Sequence, residues 1–151
     1  MNEHDKQLEL EHRFKDLCAE VLRQYDDRSG ETICEPIDTE PHLIDLLHLI
    51  ESHPDHRDVF VSLFLQVAHW FIPSPWFLLG FCMIRLRYPE VYRSLFDEFE
   101  DGMKRESFGR RFNYLKLNLD IFHDRDTLFV QMWPYYNKSS GSIRNNDYSA
   151  Q

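Results

Sequence analysis

Across 151 residues the chain carries 42% hydrophobic and 15% aromatic side chains, including twelve Phe, enough apolar material for one folded domain and too much for a disordered polymer. Its net charge of −9 is unevenly spread: residues 1–60 hold sixteen acids against six Lys and Arg, 61–102 hold five against three, and 103–151 hold five against eight. An acidic first half repels nucleic acid and attracts a basic partner. No apolar run reaches the roughly 18 residues of a membrane span, and the charged start MNEHDKQLELEH lacks the apolar centre of a signal peptide. The expectation is a cytoplasmic protein that binds neither nucleic acid nor membrane.

Residues 5–25 place Leu10, Phe14, Leu17, Cys18, Val21 and Tyr25 on one helical face, with Glu9, Arg13, Asp16, Glu20 and Arg23 opposite. This helix is expected to cap a stack formed by the rest of the chain. The stretch 26–40, DDRSGETICEPIDTE, has loop composition and no helical period. From Pro41 the punctuation becomes regular. Pro41 and Pro75 each open an apolar segment, and Pro54-Asp55 and Pro89-Glu90 open a second, at intervals of 34 and 35 residues. A helical pair repeated at that interval is the signature of a solenoid whose units bury their apolar faces on one another. An ordinary bundle with prolines at two helix starts accounts for the same pattern.

The spacing predicts helices beginning near 41, 54, 75, 89, 108 and 124, the first capped by Thr39 and the last by Asp124 or Asp126. Phe64, Leu79, Met83 and Phe96 are expected to be buried, each on an inward stripe or in the apolar central helix over 75–87. LKLNLDIF alternates like a strand, yet the spacing of Phe108, Phe112, Leu115, Leu119 and Phe122 favours helix. The fold class read from this pattern is all-α: a short helical solenoid or bundle of about three antiparallel pairs with an N-terminal capping helix. One domain is expected over 1–133, followed by a polar, disordered tail over 134–151.

Catalytic motifs are missing. There is no GxSxG, GxxxxGK[ST] or GxGxxG. The cluster His53, Asp55, His56, Asp58 has metal-capable groups without the spacing of a zinc or two-metal site, and acids gather at helix starts for dipole reasons. His123-Asp124 lacks the partner residues a metal-dependent phosphohydrolase needs, and DEFED at 97–101 reads as a solvated face. Cys18, Cys34 and Cys82 are odd in number and widely spaced, as expected of idle thiols. Lys104, Arg105, Arg110 and Arg111 have Glu100, Asp101 and Glu106 near enough to pair with them. No metal and no cofactor is expected.

A small all-helical chain, acidic in one half and without catalytic machinery, resembles the immunity proteins that bacteria pair with secreted toxins, and the helix punctuation over 39–133 is similar to that of HEAT-type repeats. The resemblance implies an inhibitor that covers a basic toxin domain, commonly a nuclease, by presenting carboxylates where the toxin expects phosphates. Complementary charge would speed association and set specificity. The candidate surface is Asp27, Glu31, Glu35, Asp38, Glu40 and Asp45, with Trp70 and Trp76 as apolar anchors. A helical adaptor or regulatory subunit that binds a peptide or larger complex is the alternative. A small helical enzyme built around His53 and His56 is a third.

Overall fold

The computed structural model describes residues 2–26, 35–69, 75–124 and 127–137. Among these residues the regular structure is helical and no strand occurs. Helix α1 spans Glu3–Asp26; a 3-10 turn, Pro36–Thr39, leads into α2, Glu40–Glu51; a second, Pro54–His56, leads into α3, Arg57–Ala68. Then come α4, Leu78–Leu86, α5, Pro89–Lys104, α6, Arg110–His123, and the short α7, Leu128–Gln131. No helix among the described residues is long and apolar enough to cross a membrane.

The prolines act as the sequence suggests, with two refinements. Pro41 and Pro89 lie in the first turn of α2 and α5, where a fixed φ and a missing N–H cost the helix nothing. Pro54 and Pro75 open shorter turns instead, so the α-helices begin three residues later, at Arg57 and Leu78. The cap expected at Asp124 or Asp126 is neither: Asp124 closes α6, Asp126 lies outside the described residues, and Thr127 caps α7, its Oγ1 accepting the Val130 N–H at 3.2 Å. Thr39 precedes α2 without capping it, since its hydroxyl donates to the Pro36 carbonyl at 2.6 Å.

Both sequential and alternate helices pack together. α1 packs on α2 and α3, α3 on α5, α2 on α4 and α4 on α6, while α3 meets α4 and α5 meets α6. Side-chain ties run the same way. Arg57 donates to both Glu90 oxygens at 2.8 and 2.9 Å, a separation of 33 residues, and Arg85 bonds Glu51 across 34. Arg87, left-handed at the end of α4 with φ 49°, donates to the carbonyls of Ile121 and Phe122, 34 and 35 residues on. These separations, 33 to 35 residues, lie close to the proline intervals of 34 and 35. Arg111 joins three helices by donating to Glu98 and to the Ala68 carbonyl, each at 2.6 Å.

Aromatic contacts run through a core that is otherwise mostly Leu, Ile and Val. Phe14 of α1 meets Phe64 of α3 edge-on at 5.0 Å, and Phe81 of α4 meets Trp133 edge-on at 4.8 Å. Gly80 lets α4 come close: a Cβ there would lie 2.8 Å from Ile121 Cδ1 and 2.9 Å from both Asn118 Oδ1 and Phe129 Cε2. Phe64, Leu79 and Met83 are buried. Phe96, expected with them, is 37% exposed. Val91 and Leu95 take the buried line of α5, and Phe96 stands about 100° further round, stacked on Tyr92 at 5.9 Å. The domain boundary expected after residue 133 is also moved. Residues 134–137 form a further helical turn in which Tyr136 is buried and donates its hydroxyl to the Phe81 carbonyl at 2.6 Å. An aromatic pair outweighs the polar run that follows it. Residues 138–151, the rest of the expected tail, lie outside the described residues.

Candidate functional site

Of the eight residues proposed as a partner surface, Asp27, Glu31 and Trp70 lie outside the described residues. Three of the others carry hydrogen bonds within the fold. Asp38 Oδ2 accepts the Glu35 N–H at 2.8 Å, and Glu35 returns its carbonyl to the Asp38 N–H at 2.9 Å, which fixes the turn before α2. Gln24 of α1 donates to the Asp38 carbonyl at 3.0 Å, tying that turn to the first helix. Glu40 Oε2 accepts the Tyr135 N–H at 2.9 Å, serving as the cap of the last helical turn from 95 residues away. Trp76 is 37% exposed, edge-on to Phe77 at 5.4 Å and tilted against Phe129 at 6.0 Å, so one face is anchored and the rest is open.

Asp45 differs from these. It is exposed on the middle of α2 and, together with Asp16 of α1, lines a groove of about 430 Å³ whose floor includes Leu17 and Leu49. Neither carboxylate makes a hydrogen bond or salt bridge among the described residues. Arg13, at the groove's edge, is turned to Glu9 at 3.7 Å, and His48 completes the wall. Asp16 stands on the polar face of α1, and its approach to Asp45 follows from how α1 and α2 dock, which no local pattern reports. Elsewhere on the acidic half the carboxylates of Asp5, Glu11, Asp55 and Asp58 are likewise without partners among the described residues, whereas Glu3 meets His56 at 2.8 Å and Glu20 is held below the usual carboxylate range by its hydrogen bond to Arg23.

No family model matches this chain, and no curated protein or solved structure is significantly similar to it.

The other sequence candidates are absorbed by packing. His53 Nδ1 lies 2.8 Å from the Leu49 carbonyl, and His56 is bonded to Glu3. Among the described residues no three His, Cys, Asp or Glu stand close enough to hold a metal. Burial pushes the Cys18 thiol up to about 12 and that of Cys82 well above its ordinary value, which removes both as nucleophiles near neutral pH. Cys34 lies outside the described residues. Arg105 pairs with Asp101 at 3.1 Å, and Arg111 lowers the pKa of Glu98 through their hydrogen bonds, so half of the basic group is engaged.

Proposed function

We propose that this chain is a non-catalytic cytoplasmic protein that takes a basic protein partner on its α1–α2 face, in the way an immunity protein neutralises a toxin. The observation that carries this reading is the groove in which Asp16 and Asp45, both unpartnered among the described residues, stand above Leu17 and Leu49. An arginine of the partner would lay its methylene stem on the leucines and present its guanidinium to the carboxylates, the pairing for which its fixed fork of donors is suited. The remaining unpaired acids of the same half would steer the encounter and make it sensitive to salt. The proline interval, together with side-chain ties that span it, supports a short stack of helical pairs as the scaffold.

The test takes the products of genes adjoining this one, selects any basic secreted toxin domain among them, and measures its association rate at low and high salt. Reversing Asp16 and Asp45 to Lys should slow association about tenfold or more. Reversing Asp97 and Asp120, on α5 and α6, should not. Equal effects of the two pairs would remove the α1–α2 face, and failure of every basic neighbour to bind would remove the immunity reading.

A further inference from the structure

We infer that the α5–α6 face is a self-association surface, on which a second copy of this chain seats about a two-fold axis at Phe96. The apolar face is unusually open. Phe96 is 37%, Met103 49% and Phe108 55% exposed, and all three belong to this one helical hairpin. They are joined by half-buried rings: Tyr92 contacts Phe96 at 5.9 Å and Phe122 at 5.2 Å, while Phe112 contacts Phe99 at 4.8 Å and Phe108 at 5.0 Å. Positions 92, 96, 99 and 103 make a single stripe on α5 at spacings of 4, 3 and 4. Contiguous apolar patches of this kind mark interaction surfaces.

Charge selects the occupant. A two-fold contact sets one surface against itself, so a face of one sign repels its own copy. The first sixty residues, with sixteen acids to six Lys and Arg, are ruled out on that ground. Residues 89–123 hold seven acids and six Lys and Arg, close to neutral. The rim is also self-complementary. Arg93 and Glu100 flank Phe96 three residues before and four after, and neither makes a hydrogen bond or salt bridge among the described residues. Two α5 helices laid antiparallel with Phe96 at the axis bring each Arg93 beside Glu100 of the partner subunit.

Size sets the strength. The 16 residues of α5 span about 24 Å. With α6 lying 8–10 Å to one side, the face covers on the order of 500 Å², against roughly 800 Å² per partner in a stable complex. The dimer is therefore weak and concentration-dependent. It uses residues separate from Asp16 and Asp45, and stands or falls independently of the proposed function.

Sedimentation velocity of the full chain from about 5 to 500 µM reads it. The unmodified chain should shift reversibly from monomer toward dimer, and Phe96→Glu, a change at an exposed position, should stay monomeric with unchanged helical dichroism. Arg93→Glu and Glu100→Arg should each weaken dimerisation about tenfold, and the two together should restore it, since the reversal preserves the pairing. A chain that remains monomeric at about 500 µM, including one that instead takes up a foreign amphipathic helix on this face, overturns the inference. So does a Phe96→Glu chain that still dimerises, or a double reversal that restores nothing.

Discussion

Replacing Trp133 by Ala removes the largest fully buried side chain among the described residues. Its indole is edge-on to Phe81 at 4.8 Å and to Phe129 at 5.9 Å, and tilted against Phe77 at 5.8 Å, so it holds the end of the chain against α4. Truncating a buried Trp costs about 3–5 kcal/mol through lost transfer energy and the cavity left behind. One feature works against the native residue: Nε1 is buried without a hydrogen-bond acceptor among the described residues, a penalty of about 1–3 kcal/mol. Trp133→Phe relieves that penalty and keeps a ring, so its net loss should be far smaller than that of Trp133→Ala. Urea unfolding followed by far-UV dichroism separates the two, because the tryptophan signal is itself altered. At about 2–4 °C per kcal/mol for a domain of this size, Trp133→Ala should lower the melting temperature by about 6–20 °C. A loss below about 1 kcal/mol, the range of surface substitutions, would refute the reasoning and end the cooperative domain at α6.

Gly80→Ala should destabilise in spite of the better helix propensity of Ala, which is worth about 1 kcal/mol. Three contacts under 3.0 Å await the new Cβ, and overpacking costs about 1–3 kcal/mol; a raised melting temperature would mean that α4 and α6 stand further apart. Glu90 is held down to about 2 from 4.5 by its hydrogen bonds to Arg57. A depressed carboxyl stabilises above its unfolded pKa and loses that contribution as pH falls through the folded one. The difference in melting temperature between native and Glu90→Gln chains should therefore be full above pH 4.5 and vanish toward pH 2; a difference that grows on acidification would refute the assignment. In a Cys34→Ser chain, Cys18 and Cys82, both buried, should resist a thiol reagent until denaturant is added. Reaction within the mixing time would place one of them at the surface.

The helical class was legible because proline and apolar period agree: α2 and α5 carry proline in their first turn, as the spacing requires. What failed depended on which neighbour each face meets. The apolar arc of α5 from Val91 to Met103 is wider than one contact can cover: Val91 and Leu95 are buried, Tyr92 and Phe99 pack against the core's edge, and Phe96 and Met103 stay exposed. Periodicity ranks Phe96 with Leu95; burial does not. The bonds of Asp38 to the Glu35 amide and of Glu40 to the Tyr135 amide were not legible, because a sequence lists charges without the amides they bond. The groove at Asp16 and Asp45 is a product of docking between two helices. Beyond Pro134 the polar composition of 138–151 masked two tyrosines that belong to the fold.

The bond from Glu40 to the Tyr135 amide gives the fold a late step in time. A ribosome adding about 5–20 residues per second needs about 5–19 s to travel from one residue to the other. Throughout that interval α2 has its N-terminal carboxylate in water, and once made, the Phe81 carbonyl waits a further 55 residues for the Tyr136 hydroxyl. The nascent chain can gather α1, α2 and α3 as they emerge, yet the aromatic floor of α4 stays open until Trp133 arrives. Chains stalled or cut before residue 133 therefore leave exposed rings that a chaperone or protease can recognise.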